Sequence, residues 1–337
     1  TSWVDAVDYP SSASMTCPNP LASVRNGHTI NVDAAVEFGN VTVDAGGILE
    51  VQNDVAFGIV AGDTLTVNGT LIMHTTALVN GSGHFWISGS GAMHVGSSLG
   101  ITVASAQGNI QVTGSRWYAP GAHYVYIGTV NQFTGDALVQ NSPGNVSINT
   151  PGLVVTLTQA ISISGNINII AGTLDVNNHN ITLGGNWTNN GIFLPGTATV
   201  YFNASASVTV GISNFYNVVF AGSDTITAAG SLTVYGDLTI NNIFNAGSWT
   251  HYVYGNWINN GIFVYGTSTI QFMGTATYYI SISNFYNIIF AGTGTYTAQG
   301  SLTIYGNITI NNYFDAGAFT HYIYGNWLNK GTYRSGT

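Results

Sequence analysis

Ser213-Asn214-Phe215-Tyr216-Asn217-Val218-Val219-Phe220-Ala221-Gly222 returns 70 residues later as Ser283-Asn284-Phe285-Tyr286-Asn287-Ile288-Ile289-Phe290-Ala291-Gly292. The tripeptide Gly-Asn-Trp ending at Trp257 returns at Trp327 and also stands one period earlier, at Trp187. A fixed period held through three copies marks a repeat architecture, in which each unit buries its apolar face only by stacking on a neighbour.

Within a copy the pattern is that of strands. In 232–240 the apolar residues Leu232, Val234, Leu238 and Ile240 share one parity while Thr233, Tyr235 and Thr239 take the other; a strand alternates its side chains between two faces, so the first set is expected inside. Ile270 and Phe272, and in the third copy Leu302, Ile304, Ile308 and Ile310, are expected inside by the same rule, as are Tyr278, Ile280 and Ile282. No window sustains the i, i+3, i+4, i+7 spacing of an amphipathic helix. Short strands broken by Gly, Asn and Ser fit a sandwich, a barrel or a solenoid, and the period selects an all-β, parallel β-solenoid, right-handed as parallel crossovers usually are. Seventy residues divide into about three coils of roughly 23, with the Asn-Asn-Gly and Asn-Lys-Gly runs ending at Gly191, Gly261 and Gly331 at equivalent corners in left-handed turns.

The chain reads as three parts. Residues 1–26, with Pro10, Pro18 and Pro20, form an arm or cap; 27–142 form a β-rich solenoid or sandwich; 143–337 carry the tandem copies, 143–212, 213–282 and an incomplete 283–337. An interrupted last coil is expected to expose strand edges and core to another chain, completed by the N-terminal arm of the next subunit. The start at Thr1 is read as that of a processed, exported chain. Cys17, the only cysteine, is read as a small buried side chain.

Charged residues make up 5% of the sequence, against roughly 25% in an ordinary soluble domain. The only cations are Arg25, Arg116, Lys330 and Arg334, which excludes nucleic acid, whose phosphates need cations along a face. Apolar residues never run to the ~18 of a membrane helix, and the alternating runs fall short of the ~9–11 residues of a membrane β-barrel strand. No membrane insertion is expected.

No residue set points to catalysis, a cofactor or a metal. Beyond residue 136 the acids are Asp175, Asp224, Asp237 and Asp315, and no carboxylate pair recurs in the copies. The earlier acids Asp33, Glu37, Asp44, Glu50, Asp54 and Asp63 lack the dense spacing of a calcium loop and read as solvated turn acids. His251 and His321 stand one period apart where the first copy has Ile181, so a packed position is expected rather than a ligand. His74, His84 and His94, spaced by ten, are candidates to stack on adjacent coils.

The aromatic set is the functional lead. Tyr252 and Tyr254, with Tyr322 and Tyr324 one period on, have outward parity, and exposed tyrosines suit contact with neighbouring subunits or with glycan rings. Eight acceptor sequons, at Asn40, Asn68, Asn80, Asn145, Asn180, Asn186, Asn203 and Asn307, permit glycosylation.

The runs Gly165-Asn166-Ile167-Asn168-Ile169, Gly172-Thr173-Leu174-Asp175-Val176 and Asn180-Ile181-Thr182-Leu183-Gly184-Gly185-Asn186-Trp187 resemble the Gly/Asn/Thr-rich β-helical repeats of large exported bacterial surface proteins, similar to filamentous adhesins. The resemblance covers roughly 143–337, with a looser echo at 28–105, and departs from the family in its tyrosine-rich units. It implies a cell-surface or extracellular location. The combined expectation is a non-enzymatic structural protein that self-assembles head to tail into a homopolymeric filament, sheath or surface layer. The alternatives are an adhesin stalk or carbohydrate-binding protein and, further off, a β-helical polysaccharide-active enzyme.

Overall fold

The structure, a computed structural model, describes residues 16–17, 22–104, 106–138 and 142–336, with no α-helix among them. It is an all-β chain of stacked parallel coils, a β-solenoid. Two compact units are distinguished: Thr1–Asp175 together with Asn190–Ile192, and Val176–Asn189 together with Phe193–Thr337.

In the first unit each coil visits three sheets. One carries Val36–Phe38, Ala56–Ile59 and Leu78–Gly81; the second Ala22–Val24, Val41–Val43, Thr64–Val67, His84–Ile87 and Arg116–Tyr118; the third Thr29–Val32, Ile48–Val51, Thr70–Met73, Ala92–Val95 and His123–Tyr126. The neighbours are parallel throughout, which settles the solenoid-or-sandwich alternative for 27–142 in favour of the solenoid. Leu49, Leu71, Met93 and Tyr124 are partners on successive coils and are buried. Between Ala92–Val95 and Arg116–Tyr118 the chain makes a longer excursion. Side chains tie it down: Asn109 Nδ2 donates to the carbonyls of His74 and Ala77 on the preceding coil at 2.9 and 2.8 Å, and Arg116 donates to those of Thr102, Ala104 and Ile110. The arm expected over 1–26 and the Cys17 side chain lie mostly outside the described residues, but Ala22–Val24 is already a solenoid strand, paired with Val41–Val43.

The second unit is also three-sided, and its registers correct the expected coil length. Val218, Leu238 and Trp257 are partners in turn, as are Phe272, Phe290 and Ile310; a coil takes ~19 residues, not 23. From Trp257–Asn259 to Tyr322–Ile323 the chain lays down eleven strands before Trp327–Asn329 opens the next set. Eleven sides at three per coil make 3⅔ coils, so one copy advances roughly 18 Å at ~4.8 Å per coil and also turns by one face. Trp187, Trp257 and Trp327 accordingly belong to three different sheets.

Local packing is what the copies reproduce. Trp187 meets Phe193 at 4.7 Å and Phe215 at 5.3 Å, and Trp257 meets Phe263 and Phe285 at the same two distances. Each of these indoles donates Nε1–H to a buried serine, Ser213 at 2.7 Å and Ser283 at 2.8 Å. The ten aliphatic and aromatic positions expected inside from Leu232 to Ile310 are all buried, and so is Ile280. Tyr278 is only half-buried and Ile282 is 65% exposed, as is Ile212 one period before it. Parity fails there because the strand Thr277–Ile280 ends two residues earlier and Ile282 sits in the corner before Ser283–Phe285.

The glycines Gly191, Gly261 and Gly331 stand at equivalent corners, as expected, but not in left-handed turns. None has a positive φ; the reason for glycine is closeness to the coil beneath. A Cβ on Gly261 would lie 2.1 Å from the Asn242 carbonyl oxygen, and one on Gly331 2.1 Å from that of Asn312. Elsewhere the corners are joined by a ladder of Asn and Asp side chains: Asn217 Oδ1 accepts from Asp237 N–H, Asp237 Oδ1 from Asn256 N–H, and Asn256 Oδ1 from Tyr279 N–H, all at 2.8–2.9 Å.

Candidate functional site

The four tyrosines singled out by parity are on the surface of the second unit, but not on one row. Tyr252, half-buried, lies between Thr233 and Gln271 on the sheet of Thr250–Val253. Tyr254 follows it and packs on Tyr235 at 5.4 Å. Tyr322 and Tyr324 are 53% and 69% exposed and belong to the face that the chain visits one side before that of Tyr252. Tyr324 stacks on Tyr305 at 5.4 Å and 7°, and Tyr305 on Tyr265 at 5.1 Å and 20°. The repeat thus makes two separate tyrosine stacks, pointing in directions that differ by about a third of a turn, because each copy adds 3⅔ coils rather than a whole number.

Five of the sequon asparagines are engaged by neighbouring coils. Asn40, Asn145, Asn180, Asn186 and Asn307 accept through Oδ1 from the backbone N–H of Thr64, Asn166, Thr199, Thr209 and Asn326. Asn40 also donates Nδ2–H to Asp63. Asn68 and Asn80 are half-buried, and Asn203 is exposed.

The histidines act as corner staples. His251 accepts the Leu232 N–H at Nδ1 (3.2 Å) and donates from Nε2 to the Ala246 carbonyl (3.0 Å); His321 repeats both bonds with Leu302 and Ala316. Ile181, the equivalent of His251, is equally buried, so the position is a packed one, as its tolerance of isoleucine implied. His84 and His123 likewise accept N–H groups, from Ser115 and Asn145. His74, His84 and His94 do not form one row: His94 is partnered by Ile72, and His84 lies on another sheet beside Thr64.

Burial holds the His251 imidazole below its ordinary value of 6.5, with the Ala246 bond opposing, and burial does the same to His94. A depressed histidine refuses a proton that the unfolded chain accepts. Stability is therefore unaffected at neutral pH and falls as the pH drops through about 6.5. Thermal unfolding followed from about pH 8 to pH 5 is expected to show this loss, and His251→Gln, which does not titrate, to flatten it.

The acids are dispersed. Asp44 accepts from Ser23 Oγ at 2.7 Å, Glu50 pairs with His74 at 2.7 Å, Asp136 accepts Val103 N–H, and Asp315 pairs with Arg334 at 3.4 Å. The Asp224 carboxyl is held below its ordinary value by hydrogen bonds from Thr225 N–H and Ser207. Among the described residues no three His, Cys, Asp or Glu side chains are grouped to hold a metal ion.

Two residues with a claim to function escaped the sequence reading: Trp86 and Trp117, 51% and 53% exposed on the first unit. They carry no 70-residue period. The outward parity of Trp86 in His84-Phe85-Trp86-Ile87, with Phe85 and Ile87 buried, is the feature that marks it. No protein family, curated protein or solved structure matches the chain.

Proposed function

We propose that this chain is an extracellular structural protein whose solenoid associates head to tail into a filament, sheath or surface layer. The observation that carries this reading is that near-identical copies already stack end on end within the second unit. Trp257, Asn259 and Phe263 of one copy form a half-socket, and the next copy closes it with Ser283, which accepts from Trp257 Nε1 and Asn259 Nδ2, and with Phe285. Trp327, Asn329 and Tyr333 build the same half-socket, with Tyr333 edge-on to Trp327 at 4.9 Å. Leu302, Ile304 and Phe314 line it from beneath, so it offers the same apolar surface that Ser283 and Phe285 cover at Trp257.

Parallel coils accept any partner that presents matching backbone groups and apolar side chains, and a repeated contact that does not close makes a filament. With 5% charged residues, little like-charge repulsion opposes stacking. Tyrosine stacks facing different directions favour lateral neighbours on several sides, as in a sheath or layer. The extracellular placement rests on the compositional resemblance to exported repeat proteins.

Sedimentation velocity and negative-stain microscopy across a concentration series test the proposal. Concentration-dependent polymers are expected, and Trp327→Asp is expected to abolish them while leaving the circular dichroism spectrum unchanged. A chain that stays monomeric throughout, or polymers that survive Trp327→Asp, would overturn it.

A further inference from the structure

One row of outward side chains runs across five successive coils of the first unit. Ser23, Thr42, Thr66, Trp86 and Trp117 are Cα partners in turn. Phe85, Ile87 and Tyr118 point inward and are buried, which fixes the two indoles on the outer surface. Adjacent strands lie ~4.8 Å apart, so the tryptophans form a short aromatic track continued by three hydroxyl side chains.

We infer that this track binds a neutral, linear polysaccharide through the apolar faces of its pyranose rings. Sugars with equatorial hydroxyls present C–H groups on their flat faces, and an indole face offers these both apolar contact and a negative π-cloud. The strand spacing is close to the length of one ring, so successive rings of a chain lying along the solenoid axis meet successive coils. Thr66 and Thr42 then offer donors and acceptors to ring hydroxyls beyond the tryptophans.

Charge selects a neutral polymer. The guanidinium of Arg116, the cation on the strand of Trp117, is turned to the carbonyls of Thr102, Ala104 and Ile110, so it is not offered to a uronate, sulfate or phosphate at the indoles; the exposed Arg25 stands at the other end of the row, beyond Ser23. At the far end stands Asp44, held by Ser23, which repels an anionic chain. Area selects against a protein partner. Two half-exposed indoles offer on the order of 250 Å², whereas a stable protein interface takes about 800 Å² from each side. A single polysaccharide strand is one ring wide and needs no more than the track provides. The inference concerns the first unit and does not depend on polymerisation through Trp327.

Affinity electrophoresis of the full chain in gels containing hydroxyethyl cellulose, with calorimetric titration of cellohexaose and chitohexaose, tests it. Retardation and binding to at least one of these probes are expected, insensitive to salt. Trp86→Ala and Trp117→Ala are each expected to weaken binding about tenfold or more, as truncated aromatic anchors do, and Trp86→Phe to retain most of it. Both side chains are half-exposed, so the circular dichroism spectrum should be unchanged and serves as the control for folding. Three results would overturn the inference: no retardation by any probe, binding that survives the double variant Trp86→Ala/Trp117→Ala, or salt-sensitive binding confined to alginate. A fourth is a double variant that alters sedimentation of the chain and not its retardation, which would make the track a protein contact.

Discussion

Trp257→Ala is expected to lower the unfolding free energy of the second unit by about 3–5 kcal/mol, the range for truncating a fully buried aromatic, while Trp327→Ala costs about 1 kcal/mol or less, as for a partly exposed site. The two residues sit in the same tripeptide, Gly-Asn-Trp. Trp257 is fully buried, contacts Phe263, Phe272 and Phe285, and donates to Ser283. Its loss empties a cavity between two coils and removes one of the two donors to a buried hydroxyl, the other being Asn259 at 3.1 Å. Trp327 is 43% exposed and has Tyr333 as its ring partner. Urea unfolding followed by circular dichroism, at protein concentrations below any association, measures both. Equal losses would show that closure by the following copy is not what makes the tryptophan matter.

Removing a whole copy should be far less damaging than removing a whole number of coils. Deletion of 213–282 joins Ile212 to Ser283, the same junction as Ile212 to Ser213. Trp187 then finds Ser283 and Phe285 where it had Ser213 and Phe215, and everything after the junction turns by one face without changing its neighbours. A cooperative melt with a native spectrum is expected, with a loss confined to the contribution of the removed coils, since solenoid stability is close to a sum over units and their nearest-neighbour contacts. Deletion of 213–269 instead keeps each strand on its face and presents Ile270 and Phe272 to the Trp187 socket. That socket then lacks its serine acceptor, leaving an indole N–H buried without a partner, and the second unit is expected to lose cooperative unfolding. If the second deletion is the better tolerated, the coil and not the copy is the unit of packing.

This contrast also separates what could be read from the residues from what could not. Alternation in 232–240 placed Leu232, Val234, Leu238 and Ile240 inside because a strand has only two faces and water excludes one kind of side chain from the outer one. The parity rule carried to Ile310 and to His251, whose equivalence with Ile181 marked a packed site. It failed at Ile282, where a corner interrupts the strand and resets the count. The outward tyrosines were recognised one by one, but not that Tyr265, Tyr305 and Tyr324 stack; these contacts join residues two coils and one coil apart, and their distance along the chain depends on coil length. Trp86 and Trp117 lay outside the reading for a related reason: their partnership is set by the excursion between Ala92–Val95 and Arg116–Tyr118, which no period announces.

The sequence by itself determined that this chain is a tandem-repeat, all-β solenoid, which side chains fill its interior, and that its surface is nearly free of charge, since periodicity and composition are local properties of the chain. Only the tertiary structure decided how many residues make a coil. Corner geometry sets that length, and the gaps between strands vary while the 70-residue period does not. Because the period spans eleven sides and not nine or twelve, copies that are near-identical in sequence face different ways.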